Sequence, residues 1–141
     1  MSSDLEKITA FIEQHHVMSL ATTHKDELSV CSLFYTYIAE EKIFIVASSP
    51  ETLHMKLIEQ SDRVAGNIVL ETDRVGEIRG VQFRGIWSKI EDSDFERAYF
   101  KKFPYALALL PKLWQIKVDF FKMTDNRLGF GKKLIWKVSS L

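Results

Sequence analysis

Ser48, Ser49, Thr52 and His54, all able to donate hydrogen bonds to an anion, crowd into the stretch IFIVASSPETLHMKLI, Ile43 to Ile58. Ile43, Phe44, Ile45 and Val46 form a short apolar run of β type. The serines follow just before Pro50, a residue suited to the first position of a helix. Ser49 is the natural N-cap, whereas Ser48 with Glu51 fits a capping box, so the pattern leaves the cap open by one residue. A helix start carries unpaired N–H groups and about half a positive charge. Hydroxyls gathered there with Thr52 and His54 therefore form a cradle for an anionic group such as a phosphate. Capping alone accounts for the same hydroxyls without any ligand.

Other arrangements with chemical potential fail on spacing. Gly131-Lys132 lacks the glycine five residues before it and the following Ser or Thr of a phosphate-binding P-loop, since Asn126 and Lys133 stand there. Gly129-Phe130-Gly131 lacks the third glycine and the leading βαβ unit of a dinucleotide fingerprint. His15 and His16 are adjacent, so a helix turns them about 100° apart and they cannot chelate as an i, i+4 pair would. His24 and Cys31 stand alone, Cys31 reading as a small core residue in a β run. No metal site is expected, and no G-x-S-x-G elbow appears.

The elements that must position the cradle follow from hydrophobic periodicity. Ser3 and Glu6 make a capping box ahead of Leu5, Ile8, Phe11, Ile12 and His15, an amphipathic helix ending near His16. Val17 to Thr23 and Leu28 to Ile38 read as paired antiparallel strands across a turn at His24 to Asp26. Ala39 to Lys42 turns the chain into the strand at Ile43, and the next helix is placed from Pro50 to about Gln60. On it Leu53, Leu57 and Ile58 share one arc, with His54 inside that arc. Val64 to Glu71 and Glu77 to Ile90 are strands, and the interior Gly80 and Gly85 suggest a bulge or a close approach. Ser93 with Glu96 opens a helix, Pro104 begins a shorter one, and Pro111 ends it. Trp114, Ile116 and Val118 then alternate, and KMTDNRLGFGKKLIWK closes the chain around a turn at Asp125-Asn126. Short strands, tight polar turns and scattered helices predict an α+β, mainly β, antiparallel barrel with peripheral helices, one domain over 1–141.

The 141 residues, 46% hydrophobic and 12% aromatic, suffice for a sizeable core. Nineteen basic residues balance nineteen acidic ones, so no positive field is available to attract nucleic acid. A single cysteine excludes an internal disulfide, and MSSDLEKITA has no signal-peptide profile; a cytoplasmic location with no membrane span is expected.

Specific residues carry a resemblance. Ile78-Arg79-Gly80-Val81-Gln82-Phe83, the pair Phe103-Pro104, and Thr124-Asp125-Asn126 with Leu128-Gly129-Phe130-Gly131-Lys132-Lys133 and Ile135-Trp136 resemble the YhbP-like bacterial proteins. These lie within the pyridoxamine-5′-phosphate-oxidase-like split-barrel superfamily. The resemblance spans nearly the whole chain, and its C-terminal motif is the most specific part.

It implies a six-stranded antiparallel split β-barrel forming a homodimer, with FMN in two symmetric clefts between subunits. The phosphate positions of flavin-binding relatives match Ser48, Thr52 and His54, beside Ser49. An arginine expected between the last two is Leu53, and the usual lysine is His54. Ser32, Leu33, Phe34 and Tyr35 match the strand that lines the isoalloxazine, Ser32 standing where some relatives place an arginine. Arg79 and Gln82 match the region where a partner subunit reaches the flavin. The activity implied is flavin-dependent oxidoreduction of a small molecule other than pyridoxamine phosphate, because the arginine and histidine pattern serving that substrate is not recognisable in GFGKKLIWKVSSL. The alternatives are a non-redox binding protein for haem or a phosphorylated metabolite, and a structural dimer with an empty cleft.

Overall fold

The computed structural model describes residues 3–138. In order the elements are α1 (Asp4–Glu13), β1 (Val17–His24), β2 (Glu27–Ile38), β3 (Ile43–Ala47), α2 (Leu53–Gln60), β4 (Arg63–Val69), β5 (Arg79–Lys89), α3 (Ser93–Lys102), β6 (Leu113–Asp125) and β7 (Lys133–Lys137). Short 3-10 segments cover Val75–Glu77, Pro104–Leu109 and Asn126–Leu128.

All pairings are antiparallel, in the order β3-β2-β1-β4-β5-β6-β7, and β3 also pairs with β6. That extra pairing closes six strands into a ring, as expected for the split barrel, and β7 is a seventh strand outside the six-strand count. β6 serves both: Leu113 to Lys117 pair with β3, and Phe120 to Thr124 pair with β7. A thirteen-residue strand is long enough to hold two partners on one edge.

Strand alternation explains most of the core. Along β5, Val81, Phe83 and Trp87 are buried while Gln82, Arg84 and Ile86 face out. Phe44 is the hub, its ring centroid 4.8 to 6.2 Å from those of Tyr35, Tyr37, Phe83 and Phe121. β3 does not alternate, because Ile43 and Ile45 are covered from outside by Tyr99 of α3 while Phe44 and Val46 face the barrel. A continuous apolar run is what a strand buried on both faces requires. α1 buries Ile8, Phe11 and Ile12 against the core, and Tyr35 Oη donates to Ile12 O at 2.6 Å.

The bulge falls at one of the two glycines, the β5–β6 register shifting between Arg84 and Gly85. A Cβ on Gly85 would meet Lys117 O at 2.5 Å, so a side chain has no room there. Gly80 pairs regularly with Val69 and Thr124.

Two of the three α-helix starts differ from expectation. Ser3 Oγ accepts from Glu6 N at 3.1 Å as anticipated. α3, however, is capped by Asp92, whose side chain accepts from Asp94 N, in place of the Ser93–Glu96 box; the carboxylate one residue earlier reaches the first-turn N–H. α2 begins at Leu53, not Pro50, and its N-cap is Thr52, not Ser49 or Ser48. Residues 49–52 form a turn instead, with Thr52 N–H and Oγ1 both donating to Ser49 O at 3.3 and 3.1 Å. The later start leaves Leu53 49% exposed, outside the arc expected to bury it, while His54, Met55, Leu57 and Ile58 face inward. Among the described residues, no helix is long and apolar enough to cross a membrane.

Candidate functional site

The candidate site is the joint between β3 and α2. β3 is held on both edges, and the backbone just beyond it is clamped as well: Ser48 N–H donates to Lys112 O at 3.0 Å, and Trp114 Nε1 donates to Ser48 O at 3.0 Å. Trp114 is opposite Val46 in the β3–β6 register, which places its indole beside the strand end. The Ser48 side chain therefore points to one place.

That place is His54. Ser48 Oγ lies 2.6 Å from His54 Nε2, and Thr52 Oγ1 lies 3.2 Å from the same nitrogen. The Thr52 hydroxyl proton goes to Ser49 O, so Thr52 can only accept from the ring, whereas Ser48 donates to Nε2 or accepts from it according to the tautomer. Thr52 makes no side-chain cap bond, so the first-turn N–H groups of α2 lack a side-chain acceptor. Burial pushes the His54 imidazole below its ordinary value and favours the neutral ring. The group is thus a neutral polar cluster at the positive end of a helix.

Ser48, Thr52 and His54 are brought together as their spacing suggested. Ser49 is exposed and contributes its carbonyl to the turn. The β2 residues lie alongside, since Tyr35 pairs with Val46 two positions before Ser48. Ser32 is exposed and Leu33 is partly buried. Phe34 is 57% exposed and tilts against Phe103 at 5.4 Å. Tyr35 is fully buried, its phenol pushed far up by burial. Its carbonyl accepts from Lys102 Nζ at 2.8 Å.

Arg79 and Gln82 approach one depression from opposite faces of their strand. Both border a depression of about 220 Å³ along β4 and β5, but they occupy alternate faces of β5. Gln82 faces out, onto a cleft of about 540 Å³ bordered also by Asn67, Arg84, Phe120 and Lys122. Arg79 turns to the inner side, its guanidinium 5.5 Å from the centroid of Phe11.

Two contributors escape sequence reasoning. Trp114 reads there only as one apolar residue of an alternating strand, and nothing local signals a bond to a carbonyl sixty-six positions away. Lys102 looks like a solvated charge at a helix end, yet it also donates to His15 O at 3.1 Å, and burial pulls its ammonium below the usual value. Among the described residues, no group of three metal-ligating side chains occurs.

No family model matches. A UPF0306 protein of Enterobacter sp. (strain 638) is 38% identical over 135 residues, 94% of this chain and 95% of that protein. The UPF0306 protein YhbP of Escherichia fergusonii is 37% identical over 139 residues, 96% of this chain and 95% of its own. Among solved structures, a haem-binding protein from Mycobacterium smegmatis superposes with a TM-score of 0.79 at 14% identity, covering 97% of this chain and 59% of that one. An FAD-binding protein from Mesorhizobium loti does so with a TM-score of 0.69 at 14% identity, covering 83% and 89%.

Proposed function

The chain belongs to the UPF0306 family, that of YhbP, and on this premise we propose that it is a dimeric flavin-binding split barrel that holds FMN and serves oxidoreduction of a small molecule. The observation that carries the reading is the convergence of Ser48 Oγ and Thr52 Oγ1 on His54 Nε2 at the start of α2, whose first-turn N–H groups have no side-chain cap. A phosphate suits this donor set: it accepts from Ser48, from the α2 N–H groups and from the imidazole, which gains a proton as the anion arrives.

FMN, when bound, supplies electron or hydride transfer between a reduced nicotinamide or other donor and a small acceptor. The chain's own residues bind, orient and exclude water. Ser48 and Thr52 anchor the phosphate end, with Ser49 in the same turn. The backbone of Ser32 to Tyr35 borders the ring-bearing part, and exposed Phe34 offers an aromatic face for substrate. The cleft at Gln82 supplies the opposing wall from the second protomer. A homodimer is favoured by outward apolar side chains on β2, where Leu28 is 76% and Val30 74% exposed.

The test is an absorbance scan from about 300 to 700 nm after adding FMN and desalting, with a thermal melt alongside. A retained flavin spectrum and a raised midpoint are expected; neither appearing would overturn the reading.

A second reading has its own observation. None of Ser48, Thr52 and His54 carries a permanent charge, and Leu53 points away. That favours a non-redox pocket for another phosphorylated metabolite, or for haem, which a Soret band would reveal.

A further inference from the structure

Arg79 is a half-buried cation whose Nε the fold leaves without an acceptor. Its Nε is sealed from solvent and has no hydrogen-bond partner among the described residues. Nor does any other atom of its guanidinium make a side-chain hydrogen bond or ion pair there. Asp125 stands opposite it in the β5–β6 register and is the obvious candidate. That carboxylate is already engaged, accepting from Arg127 Nε at 3.1 Å, Arg127 Nη2 at 2.9 Å and Arg127 N–H at 3.0 Å. These bonds, with a smaller contribution from the nearby charge of Arg79, hold the Asp125 carboxyl below its ordinary value, so it stays ionised while its hydrogen bonds go to Arg127.

The space around Arg79 is a cleft of about 270 Å³ between α1 and the corner where β6 turns into β7. Its floor is apolar, made by Phe11 and Met123, both nearly fully buried. Its rim is basic, with Lys7 on α1 and the half-exposed Arg127. Three cations against one carboxylate leave the lining positive, and the guanidinium of Arg79 over an apolar floor suits an anionic acceptor. The volume is below that of ordinary small-molecule sites, so the occupant is small.

We propose that this cleft is a binding site for a small monocarboxylate with an aromatic or branched apolar body, its carboxylate on Arg79 and its body on Phe11 and Met123. The neighbouring Asp125 charge disfavours a dianion, which selects a carboxylate over a phosphate. The site is separate from the Ser48–His54 joint and does not depend on flavin binding.

The test is a titration of the full chain followed by nitrogen–proton correlation spectra that include arginine Nε–H signals. Benzoate, phenylacetate and isovalerate are the probes, and benzamide is the neutral control. The expected result is a saturable shift of the Arg79 Nε–H signal with at least one carboxylate and none with benzamide. Arg79→Lys keeps the charge but removes the planar fork and Nε–H, and should weaken binding by about tenfold or more. Lys7→Gln, on the exposed face of α1, should weaken it severalfold without altering the melt, which keeps the proposal testable if the Arg79 variant unfolds. No saturable shift with any of the three carboxylates, an equal response to benzamide, or undiminished affinity in both variants would overturn it.

Discussion

Ser48 Oγ and His54 Nε2 lie 2.6 Å apart in the buried joint between β3 and α2, and that contact ties the closing strand of the barrel to the helix that follows it. His54 is only 7% exposed, so a lost partner cannot readily be replaced by bulk water. Ser48→Ala leaves His54 Nε2 with the longer Thr52 contact alone. The expected loss of stability is about 1–3 kcal/mol, the cost of underbonding a buried polar group, measured by urea unfolding. An unchanged unfolding midpoint would show that the contact is not maintained in solution.

The same histidine sets a pH dependence. Burial lowers its folded-state pKa below the ordinary 6.5, so the unfolded chain takes up the proton first as pH falls. Stability is fully present above about pH 6.5 and is lost as the pH drops from there through the lower folded value, where it levels off. Thermal midpoints between about pH 8 and about pH 5 should therefore fall more steeply for the natural chain than for His54→Gln. Parallel curves would remove His54 as the cause.

Ligand affinity should show the opposite slope. A phosphate at the α2 start favours protonated His54, so FMN should bind more tightly as pH falls toward about 6. His54→Lys installs a permanent charge and should raise affinity by about tenfold while flattening that dependence, because a charge-assisted hydrogen bond is worth about 1.5–3 kcal/mol. Fluorescence quenching of FMN reads both effects. Equal affinity in the two proteins across the range would separate the phosphate from His54.

Gly85 offers a purely steric test. Gly85→Ala drives a Cβ into Lys117 O at the β5–β6 bulge and should cost about 1–3 kcal/mol. Gly76→Ala, with nothing within 4 Å of the added carbon, should be neutral or stabilise by about 0.4–1 kcal/mol through the unfolded chain. Urea midpoints of the pair compare the two directly.

Oligomeric state follows from the outer face of β2. Sedimentation should give twice the 16.4 kDa chain mass, and Val30→Glu, which sets a charge amid Leu28 and Phe34, should shift the protein to monomer. A natural chain that sediments as a monomer would contradict the proposed dimer cleft.

Much of this was legible in the residues alone. Alternation along β2 and β5, the 3.6-residue stripe of α1 and the unbroken apolar run of β3 are local patterns. They record which face of each element meets the core, because burial acts on neighbours at fixed spacing. The grouping of Ser48, Thr52 and His54 was legible for the same reason, all three lying in one strand-to-helix passage. What the tertiary structure alone decided are relationships across long separations. The β3–β6 register brings Lys112 and Trp114 onto Ser48, and with residues 49–52 drawn into a turn α2 starts at Leu53. Pairing of Arg79 with Asp125, while Asp125 binds Arg127, leaves one arginine without an acceptor. Such outcomes depend on which strand edges meet and in what register, a competition among all segments for closure of one ring, and no window of sequence contains both partners.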